Sequence, residues 1–364
     1  MRPGIPRSTM KRPPAGWLRW FFLGILLAPL IVVVGQRDKS FPLPGSVGEA
    51  MLLPQDLKFY FAANFEFRNR MAGLHSRLIR AVDGHDRSSD LVKVGKDGWL
   101  YFFMDKRNIA AFGQQDTGIN HRALAKMQRK HNFCSERGII YMPLIIPTKT
   151  SVYPEYLPDR MARQLGTLHE DVTYLHRFLK TKSSGIRSVD LLKPFLAAKA
   201  NAPIYFRTDS HWTEYGAYIA AEEVLGELRK TYPNLPQPYS PKPRISFSDC
   251  QPGNEARMLG LQHELTERYV ELRLPVETTA RHQNGSPIVM HAINLKGFES
   301  KTTVTRCESA EAKSVVVFQN SFGVALVPYL GRHFKRARFE WSAFAEGVVD
   351  SERPTVVIDL FNTL

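Results

Sequence analysis

The sequence predicts an α/β fold in which a parallel sheet is flanked by helices, carries a small β-rich insertion and follows an N-terminal transmembrane anchor. Three observations lead there. The stretch "IIYMPLII", Ile139 to Ile146, is an apolar strand without polar alternation, as a sheet buried on both faces requires, and it follows a helix-patterned segment closed by Gly138. "SVVVFQ", Ser314 to Gln319, repeats the strand pattern ahead of a turn, "NSFG", and a helical stretch. Finally, an apolar run from Trp20 to Gly35 lies behind a segment that is basic and free of acids.

Taken in order, residues 1–16 read as a basic cytoplasmic tail and 17–36 as a signal anchor. The apolar run is short for a bilayer, where ~20 residues are usual. Trp17 to Arg19 extend it, because Arg snorkels and Trp prefers the interface. A cleavable signal peptide is the competing reading, but "PLIVVVGQRDK" lacks the small-x-small site that cleavage needs. Basic residues ahead of the span keep the N-terminus in the cytoplasm and put everything after Gln36 outside. In a bacterium that means single-pass attachment to the inner membrane with the domain in the periplasm.

Residues 37–90 form a helical stalk, with Leu57, Phe61, Phe65, Leu74, Leu78 and Val82 at helical spacing. The domain proper is 91–364. It opens with "VGKDGWLYF", a hairpin turning at Asp97-Gly98. A helix ending at Gly138, the strand "IIYMPLII" and a Pro-rich loop, "PTKTSVYPEYLP", follow. Next come a helix near Leu168 to Thr181, the strand "IRSVD", and a helix from Thr213 to about Arg229. Thr213 is its N-cap, with Glu214 and Glu222 on a solvated face. Prolines in "YPNLPQPYSPKPRIS" mark the boundary of an insertion, about 232–310, whose alternating runs predict a small antiparallel element. The α/β pattern resumes at Ser314 and closes with the strands "ARFEW" and "TVVID".

Composition narrows the function. With 43% hydrophobic and 23% charged residues the chain is globular, neither disordered nor fibrous. Five basic residues precede the span, leaving +9 of the net +14 on the exported part. That excess favours an acidic or polyanionic neighbour, and the topology argues against nucleic acid as that neighbour. Of the three cysteines, Cys250 and Cys307 lie in segments that allow them to pair, whereas Cys134 reads as a buried small residue. Their spacing supports neither a metal site nor a redox motif, and no cofactor is implied.

The chemistry concentrates in two stretches. In "YFRTDSHWTEYGA", Asp209 and His211 stand two apart, and in an extended segment such residues project from the same face. In "SVVVFQNSFGVALVPYL" a buried strand delivers Ser321 to a strand-to-helix turn at the carboxyl edge of the sheet, where α/β folds keep their sites. Backbone amides at the start of that helix favour an oxyanion. Ser321, His211 and Asp209 therefore form a possible triad, although each alone is more often a cap, a packed histidine or a turn residue.

"RTDSHWTEYGAYIAAEEV" resembles the Asp-x-His-Trp block of the periplasmic alginate O-acetylation proteins of the AlgJ/AlgX type, a branch of the SGNH hydrolase-like superfamily. "FQNSFGVALVPYLGRHF" resembles their nucleophile block. "NFEFRNRM", "VGKDGWLYF", "IIPTKTSVYPEYLP" and "GNEARMLGL" resemble further blocks, so the likeness spans roughly Phe59 to the C-terminus. The resemblance implies that Ser321 is the nucleophile, His211 its general base and Asp209 the residue that orients the imidazole. It also implies an acetyl-serine, transfer to hydroxyls of an exported, anionic, alginate-like polysaccharide, and supply by a membrane-embedded acyl carrier protein of the MBOAT class.

Two departures stand out. The family has Asp before the nucleophile where this chain has Asn320, which can instead donate to an oxyanion. The chain ends at Leu364 without the carbohydrate-binding module of the AlgX branch, so the arrangement expected is closer to AlgJ. Secondary candidates for substrate binding are Lys149 and Arg207, for a uronate carboxylate, Trp99 and Tyr101, for stacking on a sugar, and Asn254. The alternatives are a carbohydrate acetylesterase, in which water takes the acyl group, and a non-catalytic scaffold that binds polysaccharide.

Overall fold

The computed structural model describes residues 91–102, 117–164, 185–233, 235, 243–273, 281–282, 285–286, 302–308 and 312–362. All of them belong to one compact unit, Ser76–Leu364. The basic tail, the anchor, the whole stalk, the helix expected near Leu168 and part of the insertion lie outside the described residues. Among the described residues no helix is long and apolar enough to cross a membrane.

The strands are β1 (Val92–Val94), β2 (Leu100–Phe102), β3 (Ile140–Ile146), β4 (Val189–Asp190), β5 (Arg244–Cys250), β6 (Glu267–Arg273), β7 (Arg281–His282), β8 (Thr302–Arg306), β9 (Ala312–Phe318), β10 (Phe334–Glu340) and β11 (Val356–Asn362). The main sheet runs β4-β3-β11-β9-β10-β8-β7. Pairing is parallel from β4 to β10 and antiparallel at β8 and β7. The stretch "KTTVTR", expected in a separate antiparallel element, thus extends the main sheet instead. What stands apart is the ribbon β5-β6, in register from Arg244 opposite Arg273 to Cys250 opposite Glu267.

Alternation along the buried strands explains the layers. Met142, Leu144, Val315, Val317 and Ile358 pack on α2 (Leu192–Ala198), α3 (Glu214–Arg229) and α5 (Val327–Leu330). Their neighbours Tyr141, Ile145, Val316, Phe318 and Val357 face α1 (Thr117–Ser135) and α6 (Glu346–Glu352) on the other side. A helix layer on each face leaves no strand side wet, which is why these strands read as continuous apolar runs.

Turn chemistry matches the sequence at several points. The β1-β2 hairpin turns through Asp97 at φ 53° and Gly98 at φ 76°, the left-handed region that Asp and Gly tolerate. Thr213 caps α3, its hydroxyl accepting the Gly216 amide at 3.2 Å. Glu214, however, is buried rather than solvated, accepting from the Tyr269 hydroxyl and, at 3.4 Å, from the Leu272 amide. It fastens α3 to the ribbon. Glu222 is half-buried too, and burial pushes its carboxyl up to about 7. All three cysteines are free, so Cys250 and Cys307 are not paired.

A third, smaller cluster joins Val92 and Leu100 of the first hairpin to Ala256, Leu259 and Leu261 in and after α4 (Asn254–Met258). Through it the N-terminal hairpin and the insertion meet beside the carboxyl edge of the sheet.

Candidate active site

The Asp209–His211 stretch is a closed loop. Tyr205 and Trp212 form an antiparallel bridge, with Phe206 N–H donating to the His211 carbonyl at 3.1 Å and Thr213 N–H to the Ile204 carbonyl at 2.8 Å. The sequence reading took the i, i+2 relation from an extended strand. In the structure it comes from a side-chain turn, because Asp209 Oδ1 accepts the His211 amide at 2.9 Å and meets His211 Nδ1 at 2.6 Å. One carboxylate oxygen therefore folds the loop and orients the ring. Its other oxygen accepts the Asn254 amide at 2.9 Å.

Ser321 is delivered by β9. After Phe318, the Gln319 amide donates to the Glu340 carbonyl at 2.8 Å, and Asn320 Oδ1 accepts the Phe322 amide at 3.0 Å. The Gly323 amide closes the turn on the Asn320 carbonyl at 3.0 Å. Gly323 is required here, since a Cβ would overlap the buried Gln319 side chain.

Two contacts join the turns. Trp212 Nε1 donates to the Phe322 carbonyl at 3.1 Å, and the Phe322 ring lies 4.9 Å from the His211 ring, centroid to centroid. The nucleophile candidate thus occupies the residue next to one clamped by both His211 and Trp212. His211 Nε2 is buried and has no hydrogen-bond partner. Ser321 therefore makes no hydrogen bond to His211 Nε2.

The electrostatics suit a base. Burial works to lower the His211 pKa, but the hydrogen bond and charge of Asp209 prevail and raise it, with Glu255 adding to the effect. Burial pushes Asp209 up, and is outweighed by the His211 hydrogen bond and charge and by the Asn254 and His211 amides, which hold the carboxyl at about 2. The acid therefore stays ionised, as a residue that stabilises an imidazolium must.

The other sequence candidates fall in different places. Arg207 is half-buried and engaged, donating to the Thr266 carbonyl, to Thr266 Oγ1 at 3.1 Å and to the Asp97 carbonyl at 3.4 Å. Lys149 is buried, and its ammonium is saturated by the carbonyls of Leu100 (2.6 Å), Arg207 (2.9 Å) and Asp209 (3.0 Å). No proton is left for a uronate. Trp99 and Tyr101 are core rings rather than sugar platforms: Trp99 stacks on Tyr156 at 4.6 Å, and the Tyr101 hydroxyl donates to the Tyr153 carbonyl at 2.6 Å. Asn254 reaches the site through its backbone. The Asn320 side-chain oxygen shapes the nucleophile turn.

Sequence reading missed Thr208, Glu255 and Glu267. The Glu255 carboxylate accepts the Ser210 amide at 3.0 Å, and Glu267 accepts the amide and hydroxyl of Thr208, both at 2.6 Å. Thr208 Oγ1 in turn accepts the Gly253 amide at 2.8 Å. These carboxylates lie about fifty residues along the chain from the loop they hold, and nothing in their local pattern marks them. Among the described residues no cluster of His, Cys, Asp and Glu is arranged to hold a metal ion.

Comparison with known proteins gives a consistent result. Residues 92–286 match the family described as "SGNH hydrolase-like domain, acetyltransferase AlgX". A protein of Pseudomonas aeruginosa named "Probable alginate O-acetylase AlgJ" is 29% identical over 228 residues, 62% of this chain and 55% of that protein. Its namesake in Pseudomonas syringae pv. tomato is 33% identical over 218 residues, 59% of this chain and 54% of the other. This chain spans about half the length of these relatives. Among solved structures, Bacillus cereus PatB1 with a sulfonyl adduct superposes with a TM-score of 0.55 at 13% identity, covering 75% of this chain and 94% of that one. That likeness concerns the fold.

Proposed function

Because the chain belongs to the family of SGNH hydrolase-like AlgX acetyltransferase domains, we propose that it is an O-acetyltransferase that passes an acetyl group through Ser321 to hydroxyls of an exported, alginate-like polysaccharide. The observation that carries this reading is the Asp209–His211 pair, joined at 2.6 Å and packed through Phe322 onto the turn that bears Ser321.

The steps of this reading run through the Asp209–His211 pair. His211 Nε2 takes the proton of Ser321 Oγ as the oxygen attacks the acetyl carbonyl, and Asp209 stabilises the imidazolium. Collapse of the tetrahedral intermediate breaks the bond to the donor, and His211 returns the proton to the leaving group. A sugar hydroxyl then gives its proton to His211, attacks the acetyl-serine and leaves as the ester, while Ser321 recovers its proton. The Phe322 and Gly323 amides are taken up inside the turn by Asn320, so the oxyanion falls to the Ser321 amide in this reading.

The relatives' names support the alginate-like acceptor, and the basic exported part suits a polyanion. A periplasmic domain on an N-terminal anchor, served by a membrane-embedded acyl carrier of the MBOAT class, completes the proposal. The test uses a chromogenic acetyl ester with intact-mass detection of the acetylated protein, for wild type and Ser321→Ala. Wild type should acquire an acetyl group and turn over, and the variant should do neither. Equal behaviour of the two proteins refutes the nucleophile assignment.

A further inference from the structure

The acyl-transfer reading leaves one buried charge without a task. Lys149 begins the helical turn that follows β3, and it is 6% exposed. A methionine would fill the same space against the Trp99 and Tyr101 rings, which lie 5.0 and 5.3 Å from the ammonium, without the desolvation cost of a cation. What only an ammonium supplies is three donors. Two of them hold the carbonyls of Arg207 and Asp209, and the third ties the loop to Leu100 of the first hairpin. The Glu255 carboxylate takes the amide of Ser210, the residue between acid and base.

We propose that Lys149, together with Glu255, is a positioning residue for the Asp209–His211 pair. This rests on the acyl-transfer reading for its effect on rate, and on the hydrogen bonds alone for its effect on the loop. The ammonium grips the loop by its carbonyls while the carboxylate grips it by its amide, so the chain between residues 207 and 211 cannot rotate without breaking a buried charged hydrogen bond. Rotation there would swing Asp209 Oδ1 away from His211 Nδ1. The charged groups facing Lys149 are Glu255, Glu267, Asp209 and Arg207, so the cation is compensated within the cluster.

The experiment compares full-length wild type with Lys149→Met, checking fold by circular dichroism. Its readouts are ester turnover and the far-downfield proton resonance of the Asp209–His211 hydrogen bond. Misplacement of a catalytic group by ~1 Å costs about 100-fold. A folded variant should therefore lose that much in kcat with little change in KM, and lose the downfield resonance. A folded Lys149→Met with wild-type kcat and an intact resonance overturns the proposal. If that variant does not fold, Glu255 decides. Glu255→Gln keeps an acceptor for the Ser210 amide and should retain the resonance, whereas Glu255→Leu should lose it, and identical behaviour of the two overturns the proposal. Should wild type turn over no ester, the acyl-transfer reading fails while the resonance still judges the positioning.

Discussion

At the residue scale, the site depends on side-chain oxygens that take up backbone amides. Asp209 Oδ1 serves the His211 amide and ring together, and Asn320 Oδ1 serves the Phe322 amide. Because aspartate offers the Phe322 amide the same acceptor, Asn320→Asp should keep kcat within a few-fold of wild type, and Asn320→Leu, which leaves that amide unmet, should not. Ester turnover by the two variants checks this. The departure from the family's Asp is thereby absorbed by a turn that either residue builds. The raised His211 pKa gives a second expectation. A general base must be neutral, so kcat/KM should rise with pH through a midpoint above the ordinary ~6.5 of histidine. Asp209→Asn removes the main cause of the shift, and the limb should move to lower pH.

At the element scale, the insertion holds the Asp209–His211 loop from outside it. Its helix α4 starts where Gly253 passes so close to Asp209 that a Cβ would overlap the acid and stand 2.9 Å from the Thr208 carbonyl. Gly253→Ala should push α4 off the loop, lose the Asn254 amide from Asp209 and cut kcat at least tenfold, on the ~1 Å argument. A separate tie fixes α6. Glu352 accepts from Arg336 at 2.8 and 3.0 Å and from Arg338 at 2.9 Å, and Glu352→Gln should cost about 1–3 kcal/mol in urea unfolding. What sequence made legible follows the same division. Buried strands and the Thr213 cap carry local signatures, so β3, β9 and α3 were readable. Short helices such as α2, interrupted by Pro194, and α6, with little apolar spacing, carry weak ones. The dyad was found by residue type and spacing, but for the wrong local reason, since a side-chain turn rather than a strand brings Asp209 to His211. Lys149 misled because lysine is usually exposed, and only the fold brings three carbonyls to it.

At the scale of the whole molecule, the buried cluster leaves a mark on stability. Burial, aided by the Asp209 charge, raises Glu255 to about 7. The folded protein then binds more protons than the unfolded chain between ~4.5 and 7, and this contribution falls as pH rises across that window. Burial lowers Lys149 to about 8, so the folded protein binds fewer protons between 8 and ~10.5, and stability recovers there. Asp209, held at about 2, adds a contribution present above ~3.9 that is lost as pH falls towards 2. Urea unfolding across pH should therefore show a trough between pH 7 and 8, and Glu255→Gln should shallow its acid-side slope, the remainder belonging to Glu222. A trough unchanged in Glu255→Gln would refute the assignment.

The ends of the main sheet have a consequence of another kind. Among the described residues both outermost strands are two-residue pieces, Val189–Asp190 and Arg281–His282, and the longer ladders lie inside. A stranger chain seeking to add itself by backbone pairing finds almost no template at either margin, and meets an aspartate at one and an arginine at the other. The described margins of the main sheet therefore offer a second copy little to pair with.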